Sequence, residues 1–276
     1  MNTLPENILL VDKPKGITSF DVIRILRKKL GIRKMGHAGT LDPLASGLMI
    51  IGVNDGTKKM SEFLKLPKTY VADILLGKKS ETGDMEGKII EERSIEGITD
   101  EKIRETVENF SGKHSLAVPM YSAIKVGGRP LYSIARKIEA GKTLTEKEMN
   151  AVPPVKEMEV ISAKLLEIKR GSSPDGGCTS VRMFGEDTEC GNGETFRTGV
   201  SRSQAGPRTL RWQPQSGDIG GYDNIILCVE MRVSSGSYIR TLGEELGNRL
   251  GVPAMLTDLR RSEIGEYSVK NATITL

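Results

Sequence analysis

GHAGTLDPLASGLMIIGVNDGTKK, residues Gly36–Lys59, is the stretch from which the rest of the chain is best read. Its first half carries one of the chain's two histidines, His37, together with Gly36, Gly39, Gly47, Pro43 and a single carboxylate, Asp42. At Leu48 it turns into an unbroken apolar run that ends at Val53. Glycine allows close backbone approach, and proline fixes the chain direction just after the acid. Read locally, the stretch predicts a loop between a helix and a strand, with Asp42-Pro43 as a turn. A lone carboxylate among small, uncharged residues is also a candidate reactive group. The segment Gly52–Met60, GVNDGTKKM, does not have the spacing of a phosphate-binding P-loop. Thr57 is instead expected to cap a short helix running to Leu66.

Working outward toward the N-terminus, Asn7–Val11 reads as a strand and Asp12-Lys13-Pro14-Lys15-Gly16 as a turn. Thr18 or Ser19 caps a helix with Val22, Ile23, Ile25, Leu26 and Leu30 at helical spacing, and Gly31 ends it. Toward the C-terminus, Lys68–Leu76 is a strand and Ser80–Glu92 a polar surface connection. Thr99 opens an amphipathic helix carrying Ile103, Val107 and Phe110. Ser115–Val126 is extended, Gly127-Gly128 a hairpin turn, and Leu131–Ala140 a helix. Val155–Ile168 and Ile225–Val233 are strands, Ser237–Leu250 a helix closed by Gly251, and the chain finishes in strand-like segments around Leu259-Arg260-Arg261. Strands and helices intermingle without regular βαβ alternation. The expected class is α+β, with a mixed, largely antiparallel central sheet flanked by helices.

The 276 residues, 37% hydrophobic and 28% charged, describe a globular chain, and a net charge of +4 is compatible with nucleic acid without demanding it. No apolar run approaches the roughly 18 residues of a membrane-spanning helix. No signal peptide is visible, and the three cysteines form neither a CxxC pair nor a disulfide framework. Cytoplasmic residence as a monomer, without metal or cofactor, is the expectation.

One segment stands apart. From Gly171 to Asp223 there is no lysine, although lysine is plentiful on both sides, and the stretch holds Cys178, Cys190 and the only tryptophan, Trp212. It is Gly/Ser-rich and lacks periodicity. A structureless connection of this length is unusual within a compact domain. It reads as an atypical insertion, expected to be disordered, between two strands that would otherwise make a hairpin. A small appended binding element and a segment absent from the working protein are the other readings left open.

Four stretches carry a resemblance: ILLVDKPKGITSFDVI (Ile8–Ile23), the opening stretch, VPMYSAIKVGGRPLYSIARK (Val118–Lys137) and VSSGSYIRTLGEELG (Val233–Gly247). In that order they resemble the TruB family of tRNA pseudouridine synthases, a superfamily that includes dyskerin. LRRSEIGEYSV (Leu259–Val269) looks like that family's closing motif. The resemblance covers nearly everything outside 171–223. It implies a catalytic domain over 1–170 and 224–276 and a substrate in the T-arm of tRNA, with conversion of the T-loop uridine conventionally numbered 55 to pseudouridine. On the same grounds Asp42 matches the catalytic aspartate, by either a covalent or a glycal route, and Arg240 its paired arginine. Tyr70 matches the tyrosine that stacks on the flipped base. His37 matches the histidine that fills the space left by that base, with a local loop hydrogen bond as the alternative. Gly39, Thr40 and Leu41 complete the loop, while Tyr121, Lys125, Tyr132 and Tyr238 are expected to shape the cleft. Lys13 and Lys15 are expected to contact phosphate or to brace the loop, and Arg136, Arg260 and Arg261 to contact phosphates. The chain departs from the family in having Met120 after Pro119, where a second proline is common. It also ends soon after the closing motif, so no C-terminal PUA-type domain is expected.

Overall fold

The computed structural model describes residues 5–150, 152–171 and 224–276. The expected insertion therefore lies outside the described residues, except for Gly171. The chain opens with β1 (Ile8–Lys13), α1 (Ser19–Leu30), β2 (Met35–His37) and β3 (Ser46–Val53), followed by a 3-10 turn (Asn54–Lys59), α2 (Met60–Lys65) and β4 (Lys68–Leu76). A small hairpin, β5 (Lys78–Ser80) and β6 (Ile89–Glu92), leads to α3 (Asp100–Glu108) and β7 (Gly112–Ala117). Next come β8 (Lys125–Val126), β9 (Arg129–Pro130), α4 (Leu131–Glu139) and α5 (Glu146–Met149). β10 (Val155–Gly171), β11 (Asn224–Val233), α6 (Ile239–Leu250), β12 (Ala254–Ile264), β13 (Tyr267–Ser268) and β14 (Ile274–Thr275) finish the chain.

The main sheet has the order β14-β1-β3-β12-β4-β11-β10-β7, with β2 and β13 attached to β3 and β12. The β14–β1 and β3–β12 pairs are parallel and the other pairs antiparallel. That is the mixed, largely antiparallel sheet expected from the sequence. Helices α1, α3 and α6 send Val22, Leu26, Ile103, Val107, Leu242 and Leu246 into a core shared with Ala72, Ile74, Leu227 and Val229 of the sheet. No helix among the described residues is long and apolar enough to cross a membrane.

Local sequence explains the helix ends. Thr18 caps α1 through a capping box with Asp21, and Gly31 closes it in the left-handed conformation. Thr99 caps α3, and Gly251 closes α6. Two local expectations need correction. Thr57 does not cap α2; it sits inside the 3-10 turn, where its hydroxyl donates to the Asn54 carbonyl. Nor is Ser80–Glu92 merely a surface connection. Met85 N–H and Leu256 N–H bond across to Leu256 and Gly83 carbonyls, which pins this segment to β12 and buries Ser80 and Asp84.

The ladders align Lys13, Gly47, Arg261, Tyr70 and Met231 in one row across five adjacent strands. Directly opposed residues in a sheet are side-chain neighbours. The row runs beneath the Gly36–Gly47 loop, and Gly47 allows the close approach. Its φ is +108°, and a Cβ there would lie 2.3 Å from the Arg261 carbonyl oxygen.

Candidate active site

The loop between β2 and β3 is held at several points. Ser19, at the start of α1, exchanges two hydrogen bonds with Leu41: its hydroxyl donates to the Leu41 carbonyl (3.0 Å) and accepts from the Leu41 N–H (2.8 Å). Gly16 N–H donates to the Pro43 carbonyl at 2.8 Å, and Ala45 N–H closes a turn onto the Asp42 carbonyl at 3.1 Å. The Asp-Pro turn expected from sequence is thus built, and the residue between Leu41 and Pro43 is aimed by its neighbours.

Asp42 meets Arg240, whose Nε lies 3.0 Å from Oδ2. Arg240 stands in the first turn of α6 and is 7% exposed. Its Nη1 donates to the Thr82 carbonyl and its Nη2 to the Tyr121 carbonyl, both at 2.8 Å, while Asp84 Oδ2 lies 3.8 Å from Nη1. Three chain segments distant in sequence thus meet on one guanidinium. Asp84 is itself fixed by the Thr82 hydroxyl at 2.5 Å and the Glu86 N–H at 3.1 Å. Gly83, with φ +75°, leaves room for this approach: a Cβ there would be 3.3 Å from the Arg240 Cβ.

The electrostatics follow from this placement. Although 39% of the Asp42 side chain is exposed, the surrounding protein desolvates its carboxyl and pushes its pKa above the ordinary carboxylate value. Arg240 opposes that shift, and the Asp84 charge adds to it. Burial also lowers Lys13, to about 8, with nearby Asp42 partly restoring it. His37 is pushed down by burial and by the Arg261 charge, and its Nδ1 is buried without a hydrogen-bond partner among the described residues.

The other expected site residues fall into groups. Tyr70 is 7% exposed, near the start of β4, beside Arg261 in the sheet row. Tyr238 is half-buried next to Arg240, within the electrostatic reach of Asp42. Tyr121 contributes its carbonyl to Arg240, while its hydroxyl donates to Glu139 at 3.3 Å. Gly39 and Leu41 are packed within the loop and Thr40 is exposed on it. Lys125 is exposed on the β8–β9 hairpin, and Tyr132 lies under Arg136, with the guanidinium 5.6 Å from its ring centre.

The cations expected to meet phosphate have partners within the protein. Lys13 is fully buried, and its ammonium donates to the carbonyls of Pro14 (3.0 Å) and Ile17 (2.7 Å), in the turn between β1 and α1. Lys15 pairs with Asp258 at 2.7 Å. Arg260 pairs with Asp12 at 2.7 Å, and Arg261 is 1% exposed. Lys68 was not singled out by the sequence; it is also buried, its ammonium bonded to the Leu64 and Leu66 carbonyls at 2.6 Å.

Comparison with known proteins then decides the family. Residues 27–170 match the model of the TruB family pseudouridylate synthase N-terminal domain. The tRNA pseudouridine synthase B of Endomicrobium trichonymphae is 32% identical over 267 residues, covering 97% of this chain and 88% of that protein. That of Desulfotalea psychrophila is 35% identical, covering 96% and 84%. The chain belongs to the TruB family. Solved structures share the fold more widely. A chain of a Cbf5–Nop10–Gar1 complex superposes with a TM-score of 0.55 at 22% identity, over 98% of this chain and 52% of that one. A chain of an H/ACA RNP bound to a substrate RNA containing 2'-deoxyuridine gives 0.53 at 20%. This chain therefore spans about half the length of those solved chains, and their likeness is one of fold. Asp84 and Thr82, missing from the expected site, lie outside the quoted TruB motifs. The one hint in the sequence was Gly83 beside an acid.

Proposed function

We propose that this TruB-family protein is a tRNA pseudouridine synthase acting on uridine 55 of the T-loop, with Asp42 as the reacting carboxylate and Arg240 as its partner. The observation that carries this reading is the 3.0 Å contact between Arg240 and Asp42 within the GHAGTLDP loop. The reaction is an isomerisation. The N1–C1′ bond of uridine breaks, C1′ joins C5, the C5 proton leaves and N1 gains one. Breaking the glycosidic bond develops positive charge on the sugar, which a positioned carboxylate stabilises or captures. Arg240 keeps that carboxylate charged when RNA closes over it and removes water.

A base stacked in a folded loop must first be flipped out, at a cost of a few kcal/mol. Tyr70 supplies a ring for stacking on the extruded uracil, worth roughly 1–3 kcal/mol. His37, on the loop before Asp42, faces the space that the base leaves; Gly39, Thr40 and Leu41 complete that loop, and Tyr121, Lys125 and Tyr238 border the cleft. No cofactor enters this chemistry. The catalytic domain comprises residues 1–170 and 224–276 and works as a cytoplasmic monomer, with the intervening segment dispensable for the chemistry. Chemical mapping of pseudouridine in an unmodified tRNA transcript incubated with the protein tests the reading. Conversion confined to the T-loop uridine supports it, and no conversion under conditions in which a known synthase works contradicts it.

A further inference from the structure

Arg261 is among the most completely buried charged residues of the molecule, and no carboxylate lies within ion-pair distance of it among the described residues. Among the described residues its guanidinium is held by backbone carbonyls. Nε donates to the Leu48 carbonyl at 2.7 Å and Nη2 to the Gly39 carbonyl at 3.4 Å. Gly39 stands on the loop that carries Thr40, Leu41 and Asp42, and Leu48 stands in β3, just beyond that loop's other end. Gly39 has φ +98°, and a Cβ on it would lie 3.6 Å from Nη1, so the loop rests directly on the guanidinium. Gly47 and Tyr70 flank Arg261 in the sheet row. A buried cation without a counter-charge carries a desolvation cost, which a purely structural position would avoid with an apolar residue.

We infer that Arg261 is a positioning residue: it clasps the Gly39 and Leu48 ends of the loop so that Asp42 meets Arg240, and it makes no contact with tRNA. The inference rests on Asp42 being the reacting group. Planar, two-pronged donation is what distinguishes arginine from lysine, so lysine cannot replace it. The same charge lies beside His37 and disfavours protonation of its ring.

The test uses the full chain with Arg261→Gln, Arg261→Lys and Arg261→Ala and a tRNA transcript. A misplaced reacting group costs on the order of 100-fold. The single-turnover rate at saturating tRNA should fall by about that factor in all three. The tRNA affinity and its salt dependence should stay near wild type, and added guanidinium ion should restore part of the Arg261→Ala rate. The His37 ring should titrate at higher pH in Arg261→Gln than in wild type. An unchanged rate overturns the inference. So does weakened tRNA binding with a salt slope reduced by about one, which marks a phosphate contact. If the variants fail to fold, the wild-type arginine side-chain NMR spectrum decides. A clasped Arg261 gives a protected Nε–H signal unmoved by tRNA, and a rapidly exchanging or tRNA-shifted signal rules the clasp out. A wild-type chain that forms no pseudouridine would instead contradict the proposed function, while the His37 titration and the Nε–H signal would still judge the clasp.

Discussion

Arg240 meets a carboxylate and two carbonyls with three different nitrogens, from three directions. Lysine offers one compact ammonium and reaches only part of that set. Arg240→Lys should therefore lower turnover by about 100-fold or more, the usual consequence of losing one preorganised electrostatic group, as measured by single-turnover kinetics. Asp42 carries a pH signature. Its pKa is raised chiefly by burial, so the ionised form fades as pH falls through a value above that of an ordinary aspartate. The acid limb of kcat/KM should accordingly lie above that of an exposed aspartate. The sign for stability is opposite. A raised carboxylate pKa means that folding favours the neutral form, so stability from this group is present at low pH and lost as pH rises through the folded pKa. Asp42→Asn should unfold at no lower temperature than wild type at neutral pH, by calorimetry, while abolishing turnover. At this scale the motif residues were legible because family spacing marks them. Asp84 was not, since a carboxylate in a polar stretch looks solvated until its partners are seen.

Capped helices and glycine-dependent crossings organise the elements. The Thr18, Gly31, Thr99 and Gly251 signals were readable because each satisfies helix-end groups through a local contact. β2 was not readable: three residues carry no periodicity, and its pairing with Ile51–Val53 is made across the intervening loop rather than by a tight turn. Gly47 makes the β3–β12 crossing close. Gly47→Ala would combine a positive φ with a backbone clash and should cost about 3 kcal/mol or more. Thermal unfolding should show this as a loss of roughly 6–12 °C. In the α4–α5 region, Glu148 accepts from both Lys137 (2.8 Å) and Thr145 N–H (2.8 Å) and pairs with Arg129 at 3.2 Å. The Lys137 bond and the Thr145 N–H hold its pKa down to about 2. Its contribution is present above the ordinary glutamate pKa and fades as pH drops toward 2. Hydrogen exchange over residues 125–149 should speed up in Glu148→Gln at neutral pH and leave the main sheet unchanged.

For the molecule as a whole, β10 and β11 stay paired to their last rung, Gly171 opposite Asn224. The strands were legible and their partnership inferred; the lysine-free composition between them marked where the domain pauses. Replacing 172–223 by a two-residue turn shortens the connection by roughly five halvings, each worth about 0.6 kcal/mol of closure entropy. The shortened chain should fold with unchanged spectra, melt higher and retain turnover. Loss of folding would show that the segment belongs to the domain. Sheet order was beyond reach from sequence, because parallel β3–β12 pairing joins elements some two hundred residues apart.

The most direct measurement is a pseudouridine map of an unmodified tRNA transcript incubated with wild type and with Asp42→Asn, with tRNA binding measured for both. The expected result is conversion of the T-loop uridine by wild type alone, at similar affinities. Conversion by Asp42→Asn, or none by the wild type, would contradict the central claim.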